Sequence, residues 1–341
     1  MPPTDLNPTR RSITAKEVAE RARVSISAVS RAFTNGASVA PITRKRILEA
    51  AQALGYHPNV MARSLMTGRT ELIGLVSNNF NNPAFMEIFD LFTRRLQDHG
   101  LRPLLANLSG NSDPAKAITM LRQYNVDGVI VASSTIAPAF IAGCLAADIP
   151  LVHAFGKASA RAALHVVGAD NVQGGKLAAQ TLLKRHYRKL AFLGGPRSAS
   201  STVDRLKGFR AGLKSAGLEP VAEVFAENYA HDDGRRVMMQ LLADTHIDAV
   251  FCGDDILAIG ALDVCKEQGR SVPSDLGILG FNDIAMASWS AYDLSTIRQP
   301  IADIIVAAVE LSIKLVADHQ LKPKPQRFAC EVVLRGSLRP I

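Results

Sequence analysis

Between residues 78 and 283, the side chains suited to chemistry are mostly short, polar and placed directly after apolar runs. Asn78, Asn79, Phe80, Asn81, Asn82, Pro83 and Phe85 follow ELIGLVS, and Ser133 and Ser134 follow VDGVIVA. Ser200, Ser201, Thr202 and Arg205 follow RKLAFLGG, Tyr229 follows a later strand, Asp254 and Asp255 follow IDAVFCG, and Asn282 and Asp283 follow LGILGF. Hydroxyls, carboxamides, carboxylates, one guanidinium and aromatic faces make up a site that binds a small polar molecule, such as a sugar or a nucleobase-like compound. They are poor material for catalysis. The pairs Asp254-Asp255 and Asp232-Asp233 are adjacent rather than opposed, and each stands at an expected helix N-terminus, where carboxylates serve as caps. The glycines of FLGGPRSAS lack the GxxxxGK[ST] spacing that cradles phosphate, and GxSxG is missing. No catalytic residue and no cofactor is therefore assigned.

The elements that must position these residues read as α/β. From residue 71 onward, β-branched runs ending in Gly, Asn, Ser or Asp alternate with segments of helical period, the pattern of successive βαβ units in a parallel sheet. The strand-like runs cover 71–77, 102–107, 126–132, 149–155, 165–170, 188–195, 247–253 and 276–281. So many strands fit two sheets better than one, with a first boundary near Ala169 and Asp170. Two similar subdomains are expected to face a cleft, because ligands of open parallel sheets bind beyond the carboxyl ends of the strands.

Composition narrows the class. A chain of 341 residues with 48% hydrophobic side chains can fill more than one core. Its longest apolar runs, Leu72 to Val76 and Ile304 to Val309, fall far short of the roughly 20 residues that span a bilayer. MPPTDLNPTRRS has no apolar stretch of secretory type, so a cytoplasmic protein is expected. Cys144, Cys252, Cys265 and Cys330 form no CxxC pair and read as buried free thiols rather than metal ligands. The net charge of +8 is concentrated at one end: residues 1–70 carry +7 and the remainder +1. A basic module on a neutral body points to a polyanionic partner, since clustered Lys and Arg gain affinity by releasing phosphate counterions.

That module has the periodicity of three short helices. Thr14-Ala-Lys-Glu17 is a capping box, and Val18, Ala19 and Ala22 share a face of the helix it opens. After the turn ARVS, a second helix over 25–33 turns Val29 and Phe33 inward and leaves Ile26, Ser27, Ser30 and Arg31 near its outer face. A third runs from Thr43 to Leu54 and stops at Gly55. This spacing predicts a helix-turn-helix domain whose second helix enters the major groove of DNA.

The strings ITAKEVAERARVSISAVSRAFTNG and VAPITRKRILEAAQALGYHPNVMARSL, followed by a strand beginning at IGLV, resemble the lactose-repressor (LacI/GalR) family of bacterial transcription regulators over essentially the whole chain. The resemblance implies that Ile26, Ser27 and Arg31 read base edges and that Thr14, Ser25, Ser30, Thr43, Tyr56 and Asn59 touch the DNA backbone. Ser25 and Thr43 also suit helix caps. Residues 58–66 resemble a hinge helix that meets the minor groove, with Leu65 as a wedge between base steps and Arg63 beside it. Effector contacts fall on Phe85, Ser134, Ser201, Arg205, Tyr229 and Asn282. Asp254 is a further candidate that equally suits a cap for the helix beginning at Ile256. Arg23 and Thr34 depart from the family's usual Gly and Asn, and Asn282 and Asp254 from its usual Asp and Asn.

The implied fold is an all-α helix-turn-helix domain followed by a periplasmic-binding-protein-like core of two parallel-sheet, Rossmann-like subdomains. Expected boundaries are a disordered arm at 1–12, the DNA-binding domain at 13–57, a hinge at 58–69 and the core at 70–341. Within the core, 70–168 plus 299–326 form one subdomain and 169–298 plus 327–341 the other. The expected protein is a homodimeric repressor that binds a near-palindromic operator, with a small polar effector, a sugar or related metabolite, modulating its affinity. FACEVVLRGSLRPI is strand-like with no leucine heptad, so no tetramerising tail is expected. A solute-binding protein of an uptake system shares the core architecture, but it would have a signal peptide and no use for residues 13–66.

Overall fold

The computed structural model describes residues 13–33, 37–57, 64, 68–110, 112–157 and 164–341, and the chain divides into one compact unit ending at Thr70 and another beginning at Glu71. In the first unit, the Thr14 hydroxyl accepts from Glu17 N at 3.4 Å while the Glu17 carboxylate accepts from Thr14 N at 2.7 Å, the reciprocal capping box. It opens helix α1 (Ala15–Ala22), which ends on Arg23 in the left-handed region at φ 50° and ψ 53°. Helix α2 (Ile26–Ala32) is capped by the Ser25 hydroxyl, which accepts from Ala28 N at 3.2 Å. Helix α3 (Pro41–Leu54) starts two residues before the expected Thr43, because proline's fixed φ suits the first helical position. Thr43 is consequently inside the helix and not its cap. Val18, Ala19, Ala22, Val29, Ala32, Ile47, Ala50 and Ala51 form the buried core, where alanines allow close helix approach. Arg44 does not point at a partner outside: its guanidinium donates to Ala32 O at 2.5 Å and Ala37 O at 3.0 Å, pinning the end of α2.

The second unit contains two six-stranded sheets. The first is assembled from β1 (Leu72–Ser77), β2 (Arg102–Asn107), β3 (Gly128–Ala132), β4 (Leu151–Ala154) and β5 (His165–Ala169). Their connections include α4 (Ala84–Asp98), α5 (Pro114–Gln123) and α6 (Pro138–Ala146). The chain then crosses through α7 (Asn171–Lys184) into a second sheet of β6 (Leu190–Gly194), β7 (Ala222–Phe225), β8 (Ala249–Cys252), β9 (Gly277–Asn282) and β10 (Ser295–Arg298). Helices α8 (Ser200–Lys214), α9 (His231–Asp244) and α10 (Asp255–Glu267) connect these. It returns through α11 (Ile301–Ala317), which packs on α4 and on β3 to β5, and adds β11 (Gln326–Phe328) to the first sheet and β12 (Glu331–Val333) to the second.

Strand orders are β11-β5-β4-β3-β1-β2 and β12-β10-β9-β8-β6-β7. All pairings are parallel except β10 with β12. Because β11 keeps residues through Phe328 in the first sheet, the last crossing lies beyond the expected 326/327 boundary. Central strands are buried on both faces, which is why they read as unbroken apolar runs. All four cysteines are buried and free.

The helices flanking the first crossing pack backbone to backbone. A Cβ on Gly175 would lie 2.0 Å from Arg205 O, and one on Gly208 would lie 2.0 Å from Val172 O. This approach holds the start of α7 beside the first turns of α8.

Candidate functional site

A cleft lies where carboxyl ends from both sheets meet. Each of the seven expected effector residues lines it: Phe85, Ser134, Ser201, Arg205, Tyr229, Asp254 and Asn282. Asn79, Asn82, Ile88, Phe155, Asn171, Gln299 and Ile301 complete much of the lining.

Arg205 is anchored on three sides. Its Nε donates to Asn171 Oδ1 at 2.8 Å, its Nη1 donates to Gly253 O at 2.5 Å, and its guanidinium carbon stands 3.6 Å over the Phe281 ring. A buried cation is stable only when hydrogen-bonded and paired, and these contacts fix the orientation of the fork. Burial pulls its pKa downward, and Tyr229 and Asp254 oppose that shift.

Asp254 caps a helix and also lines the cleft. One oxygen caps α10, accepting from Ile256 N at 3.0 Å; the other accepts from Asn282 Nδ2 at 2.8 Å and from Asn82 Nδ2 at 3.1 Å. Burial raises its pKa, with Arg205 the largest opposing influence. Its neighbour Asp255 points away from the cleft, accepting from Thr296 Oγ1 at 2.6 Å and Ile284 N at 2.9 Å. Burial pushes its carboxyl up to about 7.

Asn282 has φ 126°, a region that side-chain-bearing residues rarely adopt and that persists where surroundings dictate it. Its amide is held at both ends, donating to Asp254 and accepting from Gln299 Nε2 at 2.5 Å. On the other wall, Ser201 Oγ donates to Ser134 Oγ at 3.0 Å and lies 2.9 Å from the Tyr229 hydroxyl, which is also 2.9 Å from Thr202 Oγ1. The arrangement offers fixed hydroxyl, amide and guanidinium groups beside aromatic faces, which is chemistry for recognition by hydrogen bonding and stacking.

Some residues after strands scaffold the loops instead. Asn78 Oδ1 accepts from Ser133 Oγ at 2.5 Å and Thr135 Oγ1 at 3.1 Å, tying the loops after β1 and β3 together. Asn171 and Gln299 were not singled out from sequence, although each is the first or second residue after a strand at a sheet crossing. That position was the available signal.

In the N-terminal unit, Ile26 is 53% exposed and Ser27 and Arg31 are exposed with it, so α2 presents an outer face carrying the expected base-reading residues. Thr14 and Ser25 are exposed but occupied as caps, and Ser30 and Thr43 are half-buried. Tyr56 packs edge-on to Phe33, with ring centroids 5.8 Å apart, and burial raises its pKa. Asn59, Arg63 and Leu65, as well as Thr34, lie outside the described residues. No helix among the described residues is long and apolar enough to cross a membrane.

Comparison with known proteins places this geometry. Residues 14–59 match the lacI family of bacterial regulatory proteins, and residues 179–338 match a periplasmic binding protein-like domain. The HTH-type transcriptional repressor PurR of Escherichia coli is 30% identical over 331 residues, covering 95% of this chain and 96% of the relative. A transcriptional regulator CelR in complex with cellobiose superimposes with TM-score 0.74 at 26% identity, covering 95% of this chain and 99% of that one. The lac repressor dimer bound to operator and the anti-inducer ONPF shares the fold with TM-score 0.84 at 24% identity, covering 96% and 100%. The chain belongs to the lacI family of bacterial regulatory proteins.

Proposed function

We propose that this protein is a cytoplasmic, non-enzymatic transcriptional repressor that binds a near-palindromic operator as a homodimer and changes its affinity when a small polar effector occupies the cleft. One observation carries the reading: seven residues from six segments between Phe85 and Asn282 converge on a single cleft between two sheets, in a chain that also bears an N-terminal helix-turn-helix. Ile26, Ser27 and Arg31 are assigned to base edges, and Thr14, Ser25, Ser30, Thr43, Tyr56 and Asn59 to the DNA backbone. Arg63 and the wedge Leu65 are assigned to the minor groove. Capping by Ser25 is compatible with phosphate contact, since a helix N-terminus favours an anion.

The lining favours a neutral, hydroxyl- or amide-rich effector, a sugar or related metabolite. Its one buried cation, Arg205, is matched by one buried carboxylate, Asp254, and five carboxamides surround them. Relatives bound to cellobiose and to ribose are consistent with that class.

The test has two steps. An operator is selected from random duplexes, and its affinity is measured against salt; the log-log slope should be about −0.9 per neutralised phosphate. Sugars, polyols and nucleobases are then screened by thermal shift, and the hit is titrated with and without operator. Reciprocal coupling is required: effector and operator must change each other's affinity by the same factor. A salt-insensitive interaction, or a cleft ligand without effect on DNA affinity, refutes the proposal.

A further inference from the structure

Helix α2 has seven residues, and helices shorter than about 12 residues are marginal in water on their own, so its neighbours must fix where it lies. The Ser25 hydroxyl holds its first turn through Ala28 N, and Val29 and Ala32 bury one face against α1 and α3. The last turn is held differently. Carbonyls at a helix C-terminus have no partner within the helix, and that of Ala32 accepts from Arg44 Nη1 at 2.5 Å. Arg44 Nη2 donates to Ala37 O at 3.0 Å, so one guanidinium joins α3 to the end of α2 and to the segment that leaves it.

Three consecutive cations, Arg44, Lys45 and Arg46, would ordinarily be assigned to DNA phosphates. Lys45 and Arg46 are exposed, whereas Arg44 is half-buried and both its terminal nitrogens are bonded to backbone carbonyls. Apolar packing at Val29 and Ala32 is non-directional, but two bonds from a planar fork fix the rotation of the turn they hold. Arg31, assigned above to a base edge, immediately precedes Ala32 in that turn.

We propose that Arg44 is a positioning residue for base recognition: by holding Ala32 and Ala37 it sets the direction in which Arg31 leaves α2, and it makes no phosphate contact itself. The inference rests on the assignment of Arg31 to a base edge.

The test uses the full-length chain, the operator selected from random duplexes, its single substitutions and a random duplex of equal length. Arg44→Ala is expected to lose about fivefold or more of its discrimination at the base pair that Arg31→Ala flattens, the lower end of what one forked arginine contributes. Its random-duplex affinity and salt slope stay at wild-type values. Arg44→Lys keeps the charge but not the fork, and loses discrimination at the same base pair. The double variant Arg31→Ala/Arg44→Ala loses no more there than Arg31→Ala alone, because Arg44 acts through Arg31. Amide exchange at Val18 and Ile47, buried on α1 and α3, reports whether the helical unit is folded, and Arg44→Lys decides if Arg44→Ala is not. A weaker grip on the random duplex with a salt slope smaller by about 0.9 makes Arg44 a phosphate contact and overturns the proposal. A wild-type base profile in the Arg44 variants, additive losses in the double variant, or an equal loss at every position with weakened protection overturns it too. An unchanged profile in Arg31→Ala instead removes the assignment of Arg31, and the proposal with it.

Discussion

Asn82 Nδ2 donates to Asp254 Oδ2 at 3.1 Å, joining the loop after β1 in the first sheet to the start of α10 on the second. The two residues are 172 positions apart in sequence, and both are buried, at 1% and 4% exposure. Because Asn282 donates to the same oxygen, one carboxylate draws amides from two loops to a single point. The contact is a direct link across the cleft.

Asn82→Asp tests that link. The new carboxylate keeps the acceptor that holds Ala84 N at 3.0 Å, but it sets a second negative charge against Asp254. Like-charged groups at hydrogen-bonding distance in a buried site repel, and one of them protonates or the site opens. The variant should have a larger radius of gyration by small-angle scattering at pH 8 than the wild type, with the difference shrinking at pH 5. An unchanged radius at both values would show that closure does not depend on this pair.

Asp255 gives a pH dependence of stability with a definite sign. Its carboxyl is raised from the ordinary 3.8 to about 7 in the folded protein by burial, with Asp254 and Asp283 adding to the shift and the bonds from Thr296 and Ile284 opposing it. Between those values the unfolded chain gives up the proton while the folded one keeps it. The stability this group contributes is full below about 3.8 and is lost as pH rises through about 7. Asp255→Asn cannot ionise, so its melting temperature relative to wild type should climb from pH 5 to pH 8. A constant difference across that range would contradict the shift.

Much of this architecture was legible in sequence, for a physical reason. Parallel strands buried on both faces leave unbroken apolar runs, so VDGVIVA and RKLAFLGG mark β3 and β6, and the seven residues that the family resemblance singles out all follow strand runs and line the cleft. What escaped lacked such a signature. The strand β10 is short and written STIR, with two hydroxyls in place of an apolar run. Asn171 and Gln299 also follow strands, but they do so at the crossings between sheets, and only the facing of the two sheets brings them to the cleft. Tyr56 carries an apolar ring as well as a hydroxyl, and sequence gave no sign that the ring packs on Phe33. Thr43 was displaced from the cap by Pro41, whose preference for the first turn outweighed the hydroxyl.

Arg23 stands in the left-handed region at φ 50°, closing α1 where the family usually has Gly. For a residue with a Cβ that conformation costs about 1–2 kcal/mol, while glycine's extra freedom in the unfolded chain costs about 0.5–1 kcal/mol. Arg23→Gly should therefore stabilise the helical unit by roughly 0.5–1 kcal/mol, a two- to fivefold gain in amide protection at Val29 and Ile47. Reduced protection would mean that the arginine side chain makes a compensating contribution.

Arg31 is exposed on α2, as are Ile26 and Ser27. An arginine forked onto the O6 and N7 of guanine distinguishes that base by about 1–3 kcal/mol, whereas one on a phosphate adds the same affinity to every sequence. Arg31→Ala is predicted to flatten the preference at one base pair in each half-site and to leave the ranking at the other positions unchanged. Binding to a panel of singly substituted operators separates the cases: a loss confined to one position supports base reading. A uniform loss with a salt slope smaller by about 1 would move Arg31 to the phosphate backbone, and the burden of base reading would then fall on Ile26 and Ser27.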